Sequence, residues 1–179
     1  EKPRFNNRFT IEHFGLSTPE QVERMARLGA IASANVYYLH ELSAVYARHA
    51  LGPERAYHMA RLGSLARHHI PFALHSDYTM APAQPLNSAW VAARRQNAEG
   101  EIVGESELVS VEQALRAITI DAAYVLGLEN EIGSLRAGKR ADFTVLEDDP
   151  FQVGAAGLKD IDIWGTVFAG TPHKIDKPA

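Results

Sequence analysis

The chain has 179 residues, 46% hydrophobic and 22% charged, which supports a packed core and excludes a disordered or low-complexity chain. Eighteen Lys plus Arg against 22 Asp plus Glu leave a net charge of −4, and the cations are scattered, so nothing marks a nucleic-acid or anionic-membrane partner. There is no cysteine, so any metal site must be built from histidine and carboxylate, and no apolar run approaches the roughly 20 residues of a membrane span.

Phe9 to His13 reads as a short strand. Thr18-Pro19-Glu20-Gln21 then supplies an N-cap, a proline suited to the first helical turn and a capping-box glutamine, and the helix stops at Gly29. Residues 30–36 are a second strand. Residues 39–50 and 56–69 read as helices, with Pro53 in the turn between them. Residues 71–77 are a third strand, apolar almost to its end, as in a parallel sheet buried on both faces. This alternation predicts an α/β fold.

A loop with Pro82 and Pro85 follows, then a helix over 88–97 anchored by Trp90 and Val91, and a polar loop over 97–105. Ser110-Val111-Glu112-Gln113 is a second capping box, and a short helix over 121–126 stops at Gly127. Beyond Leu128 glycines punctuate runs rich in β-formers, with strands over 141–146 and 161–169. A boundary is therefore expected there, with an α/β part over 1–127 and a β-rich part over 128–179.

Two polar residues end strands, His13 and Asp77. The carboxyl ends of parallel strands carry the functional site in α/β folds. An imidazole and a carboxylate suit zinc-type divalent ions, and a carboxylate beside a metal-bound water can take its proton. Each residue alone is more often structural, the histidine as a hydrogen-bonded strand end and the aspartate as a cap or turn residue. Spacing by itself does not choose.

The particular residues do more. Ile11-Glu12-His13 resembles the sixth-strand motif of the amidohydrolase superfamily, and His75-Ser76-Asp77 resembles its eighth-strand Ser-Asp. The segment Gly133-Ser134-Leu135-Arg136-Ala137-Gly138-Lys139-Arg140-Ala141-Asp142-Phe143-Thr144-Val145-Leu146 is similar to that family's Gly-Lys-x-Ala-Asp stretch and is the most specific of the three. Leu51-Gly52-Pro53-Glu54-Arg55 and the Asp77 to Leu86 loop are similar to the branch that hydrolyses N-substituted amides.

The resemblance implies the second part of a (β/α)₈ barrel, strands six to eight, followed by part of a small β-sandwich. A complete barrel of that kind takes about 250 residues, more than this chain has. It also implies a divalent metal, zinc foremost, as one ion or two. Asp77 would bind metal and shuttle the proton; His13 would bind metal or orient water and substrate. His40, His75 and Tyr78 are placed in the substrate pocket, with barrel packing the competing reading of His75. Glu12 is expected to point away from His13 and to serve in support.

The family's His-x-His pair and the ligands of strands four and five have no counterpart here. The chain opens Glu1-Lys2-Pro3-Arg4, without an initiator methionine or signal-peptide pattern, and is expected to begin inside a longer protein. The expected activity is therefore hydrolysis of a C–N bond in a small-molecule substrate by the larger protein, which is expected in the cytoplasm. This piece alone would be inactive, would need the missing amino-terminal half, and could form a homo-oligomer. The competing expectation is a non-catalytic binding or regulatory module derived from a barrel.

Overall fold

The computed structural model of the chain describes residues 6–175. Strands β1 (Thr10–His13), β2 (Ile31–Asn35) and β3 (Phe72–His75) form a parallel sheet in the order β1-β2-β3. Their register pairs His13 with Ala34 and Asn35 with His75, so all three strands deliver their carboxyl ends to one edge. Parallel neighbours need crossovers, which helices supply. Helix α1 (Pro19–Leu28) joins β1 to β2. A π-helical turn (Tyr38–Leu42), α2 (Ser43–His49), α3 (Pro53–Ala56) and α4 (Leu62–Arg67) join β2 to β3.

Local chemistry explains α1. The Gln21 backbone N–H donates to the Thr18 hydroxyl and the Thr18 N–H donates to the Gln21 side chain, satisfying two end donors. Gly29 leaves the helix at φ 70°, a left-handed geometry that suits glycine. Val22 and Met25 bury the inner face. Strand β2 is buried throughout and is built of small residues, so Ala32 and Ala34 admit helices on one face while Ser33 and Asn35 lie on the other.

Of the helix expected over 56–69 only α4 forms; Pro53, expected in the preceding turn, instead opens the short α3, which ends at Ala56, and residues 57–61 are non-helical with Ala60 at φ 47°. The cause is tertiary. The carbonyls of Tyr57, Met59 and Ala60 leave the helical ladder and accept hydrogen bonds from the buried guanidinium of Arg95, at 2.9–3.0 Å. Arg95 lies just past α5 (Pro85–Arg94) and also donates from Nε to Val103 O. Nearby, the buried Glu107 carboxylate accepts from the Ser64 N–H (2.6 Å), the Ser64 hydroxyl (2.7 Å) and Arg61 (3.2 Å). Gly63 is required here, because a Cβ would lie 2.7 Å from Glu107 Cα. The helix expected over 39–50 likewise begins as a π-helical turn.

Helices α6 (Val111–Ala117, with the second capping box) and α7 (Ile120–Leu126) follow. Strands β4 (Phe143–Leu146), β5 (Ile163–Phe168) and β6 (Thr171–Lys174) then form a separate antiparallel sheet. The loop before it is held by Lys139, which donates to Ile132 O and Ser134 Oγ, and by Asp142, which accepts from the Ala169 N–H. Sequence reading missed α8 (Pro150–Gly157) and β6. The first has a non-helical Gly154 inside it; the second is exposed and carries Pro172, so neither shows a clean apolar period. Pairing changes from parallel to antiparallel beyond Leu128, yet Leu158 and Ile161 share one buried core with Trp90, Val91 and Ala114. Among the described residues, no helix is long and apolar enough to cross a membrane.

Candidate metal centre

Strand alternation predicts that Glu12 and His13 face opposite ways. They do not, because β1 ends in a tight reversal. The Phe14 N–H donates to Glu12 O at 2.8 Å across a three-residue turn, with His13 at its centre at φ 65°. Phe14 is itself buried, which anchors the turn. The turn brings the His13 ring round to the carboxylate of its neighbour and to the end of β3.

His13 Nδ1 lies 3.3 Å from His75 Nε2, and that same nitrogen lies 3.2 Å from Glu12 Oε1. The Ser33 hydroxyl, from the central strand, donates to Glu12 Oε1 at 2.7 Å. Ligand atoms of Glu12, His13 and His75 all fall within 4.8 Å of one another. Atoms bound about 2.0–2.1 Å from a tetrahedral ion are about 3.3–3.4 Å apart, so the spacing and the N/O donor set both fit a zinc-type cation. Tyr38 packs its ring edge-on to His13 (centroids 6.1 Å apart), and Gly15 leaves room for it, since a Cβ there would meet the Tyr38 ring at 2.8 Å.

Burial pushes the His75 imidazole below its ordinary pKa; Glu12 opposes this, His13 adds to it, and Asp77 opposes it. His75 is therefore neutral at neutral pH, the form in which an imidazole can meet a cation.

The residues expected at the site are placed unequally. His13 and His75 converge, joined by Glu12, for which regular strand alternation predicts only a supporting place. Asp77 lies outside that group. It is exposed, at φ 49°, and its backbone N–H donates to His75 Nδ1 at 3.1 Å. Tyr78 is 74% exposed beside it. His40 stands on the π-helical turn with Nδ1 2.7 Å from Gln96 O and its ring edge-on to Trp90 (centroids 5.5 Å apart), so it is tied to the loop after α5. Asn35, buried at the end of β2, was not singled out from sequence; its Oδ1 accepts from the Tyr37 N–H and shapes the exit of that strand.

The profile of the amidohydrolase family matches residues 1–173, so the chain belongs to that family. It is 28% identical over 160 residues to an N-substituted formamide deformylase of Arthrobacter pascens, covering 89% of this chain and 30% of that protein. It is 35% identical over 143 residues to Protein LONG AFTER FAR-RED 3 of Arabidopsis thaliana, covering 79% of this chain and 24% of that one. An uncharacterised metal-dependent hydrolase from Pyrococcus furiosus superposes with a TM-score of 0.61 at 30% identity, over 74% of this chain and 26% of that one. The chain thus spans less than a third of each relative's length.

Proposed function

We propose that the chain is the carboxyl-terminal part of a metal-dependent amidohydrolase that hydrolyses a C–N bond in a small molecule. In this reading residues 1–127 supply strands six to eight of a (β/α)₈ barrel and residues 128–179 supply part of a β-sandwich. The observation that carries it is the meeting of His13, His75 and Glu12 at the carboxyl ends of β1 and β3, the two strands that flank β2 in the parallel sheet, where barrel enzymes place their chemistry. The Arthrobacter pascens relative supports an N-substituted amide as the substrate class.

His13 is the ligand this chain offers from β1, and Asp77 is the carboxylate offered from the loop after β3. A divalent ion, zinc by the chemistry of these donors, would polarise the scissile carbonyl and acidify the attacking water. Asp77 is exposed in the loop after β3, and its carboxylate would be the group that accepts a proton from the attacking water and delivers it to the leaving nitrogen. Tyr78 and His40 border the approach. The remaining ligands and most of the pocket belong to an amino-terminal half, without which the chain is inactive. A groove of about 1290 Å³ between helices α6 and α7 and the antiparallel sheet, walled by Leu115, Ile118, Leu126, Phe143, Ile163 and Phe168, is in keeping with a missing structural layer.

Elemental analysis of the intact parent protein tests this reading. Stoichiometric zinc, reduced by half or more in His13→Ala and in Asp77→Ala, is expected. A metal-free intact protein would overturn the reading and favour a non-catalytic binding module.

A further inference from the structure

The spacing of Glu12, His13 and His75 invites the conclusion that all three bind the ion, but one hydrogen bond opposes it. A neutral imidazole has one N–H and one bare nitrogen. The Asp77 backbone N–H donates to His75 Nδ1 at 3.1 Å, so Nδ1 is the bare nitrogen and Nε2 carries the hydrogen. The side-chain acceptors within reach of that hydrogen are His13 Nδ1 at 3.3 Å and Glu12 Oε1 at 3.2 Å, and the Ser33 backbone carbonyl also accepts from this ring. A metal-bound histidine has the opposite arrangement, with its outer nitrogen donating to a neighbour. His75 could adopt it only by placing a hydrogen on Nδ1, directly against the Asp77 N–H.

We propose that His75 is not a metal ligand but a positioning residue, a fixed N–H donor that holds the His13 ring and the Glu12 carboxylate together. The proposal rests on the reading above, in which His13 meets the metal, and assigns His75 a separate part in it. When His13 Nδ1 is drawn toward a cation, the His75 hydrogen bond passes to Glu12 and no proton has to leave the ring. Glu12 can receive it because the Ser33 hydroxyl already holds Oε1 in place. The backbone of Asp77, the residue after the strand, thereby sets the chemical state of a side chain two positions earlier.

Ring-nitrogen NMR on the ¹⁵N-histidine-labelled protein tests this, with His75 assigned from the signal lost in His75→Gln. In the metal-free protein His75 is expected as the Nε2–H form with Nδ1 bare, and this pattern persists at saturating Zn²⁺ while His13 shifts. A bare Nε2 on His75 in either state overturns the proposal. An unshifted His13 would instead count against the metal reading, and the metal-free spectrum still decides the form of His75. Zinc affinity gives a second test. His75→Gln keeps an N–H donor near the Nε2 position and should stay within about 3-fold of wild type, whereas His75→Leu should lose about 10- to 100-fold. Equal large losses in both variants would mean that His75 binds the ion directly.

Discussion

Replacing Arg95 by methionine is the sharpest test of how the fold is held. The guanidinium is 1% exposed and donates to four backbone carbonyls, those of Tyr57, Met59, Ala60 and Val103. Burial pushes it down to about 10, with Glu107 opposing, so it is still charged at neutral pH. Methionine fills most of the volume but supplies no donor. The Ala60 carbonyl keeps the Leu62 N–H, but each of the other buried carbonyls left unpaired costs about 1–3 kcal/mol, and relief from burying a charge returns part of the sum, so a net loss of about 3–5 kcal/mol is expected. Domains have about 5–15 kcal/mol in total, so the variant should stand close to unfolding. Urea unfolding followed by circular dichroism measures the loss from the midpoint at constant slope. Arg95→Lys keeps the charge without the planar fork and should fall between the two, while the exposed Arg55→Met should change stability by no more than about 0.5 kcal/mol. A methionine variant within about 1 kcal/mol of wild type would refute the idea that this arginine breaks the helix over 56–69.

Two further outcomes are expected. Gly104→Ala should be much the worse of a pair with Gly138→Ala. Both glycines have positive φ, but a Cβ at 104 collides with the Tyr57 carbonyl and one at 138 meets open space. Thermal unfolding should show a loss above about 2 kcal/mol for the first and about 1 kcal/mol for the second. The His75 pKa is lowered in the folded state, while the unfolded chain takes up that proton near pH 6.5. The unfolded state therefore binds more protons in the window below about pH 6.5, and stability contributed by neutral His75 is lost as pH falls through it. Urea midpoints taken between pH 7 and pH 5 should fall for wild type and fall less for His75→Gln; parallel slopes would refute this.

Much of the chain declares itself locally. The capping boxes at Thr18 and Ser110 and the terminal glycines 29 and 127 are short-range chemistry, so α1, α6 and α7 start or stop where sequence places them, within a residue or so. The apolar run of β3 predicts a parallel-sheet strand because a strand buried on both faces needs no alternation, and the alternation of strands with helices predicts the α/β arrangement. His13 stands out as a polar residue at the end of a strand, where α/β folds carry their sites. Family membership too is legible in three motifs, since Ile11-Glu12-His13, His75-Ser76-Asp77 and the stretch from Gly133 carry it residue by residue.

Tertiary structure decided the rest. A helix over 56–69 is a sound local expectation that fails because a guanidinium from 35 to 38 positions later in the chain takes its carbonyls. Glu12 joins His13 because a turn with φ 65° defeats the alternation on which any face assignment rests. The state of the His75 ring depends on which backbone N–H meets Nδ1, a matter of a few tenths of an ångström after the strand has ended. Composition and short-range periodicity determined which elements exist and which residue types could meet a metal. The positions of those side chains came from contacts between segments far apart in sequence, where no local rule applies.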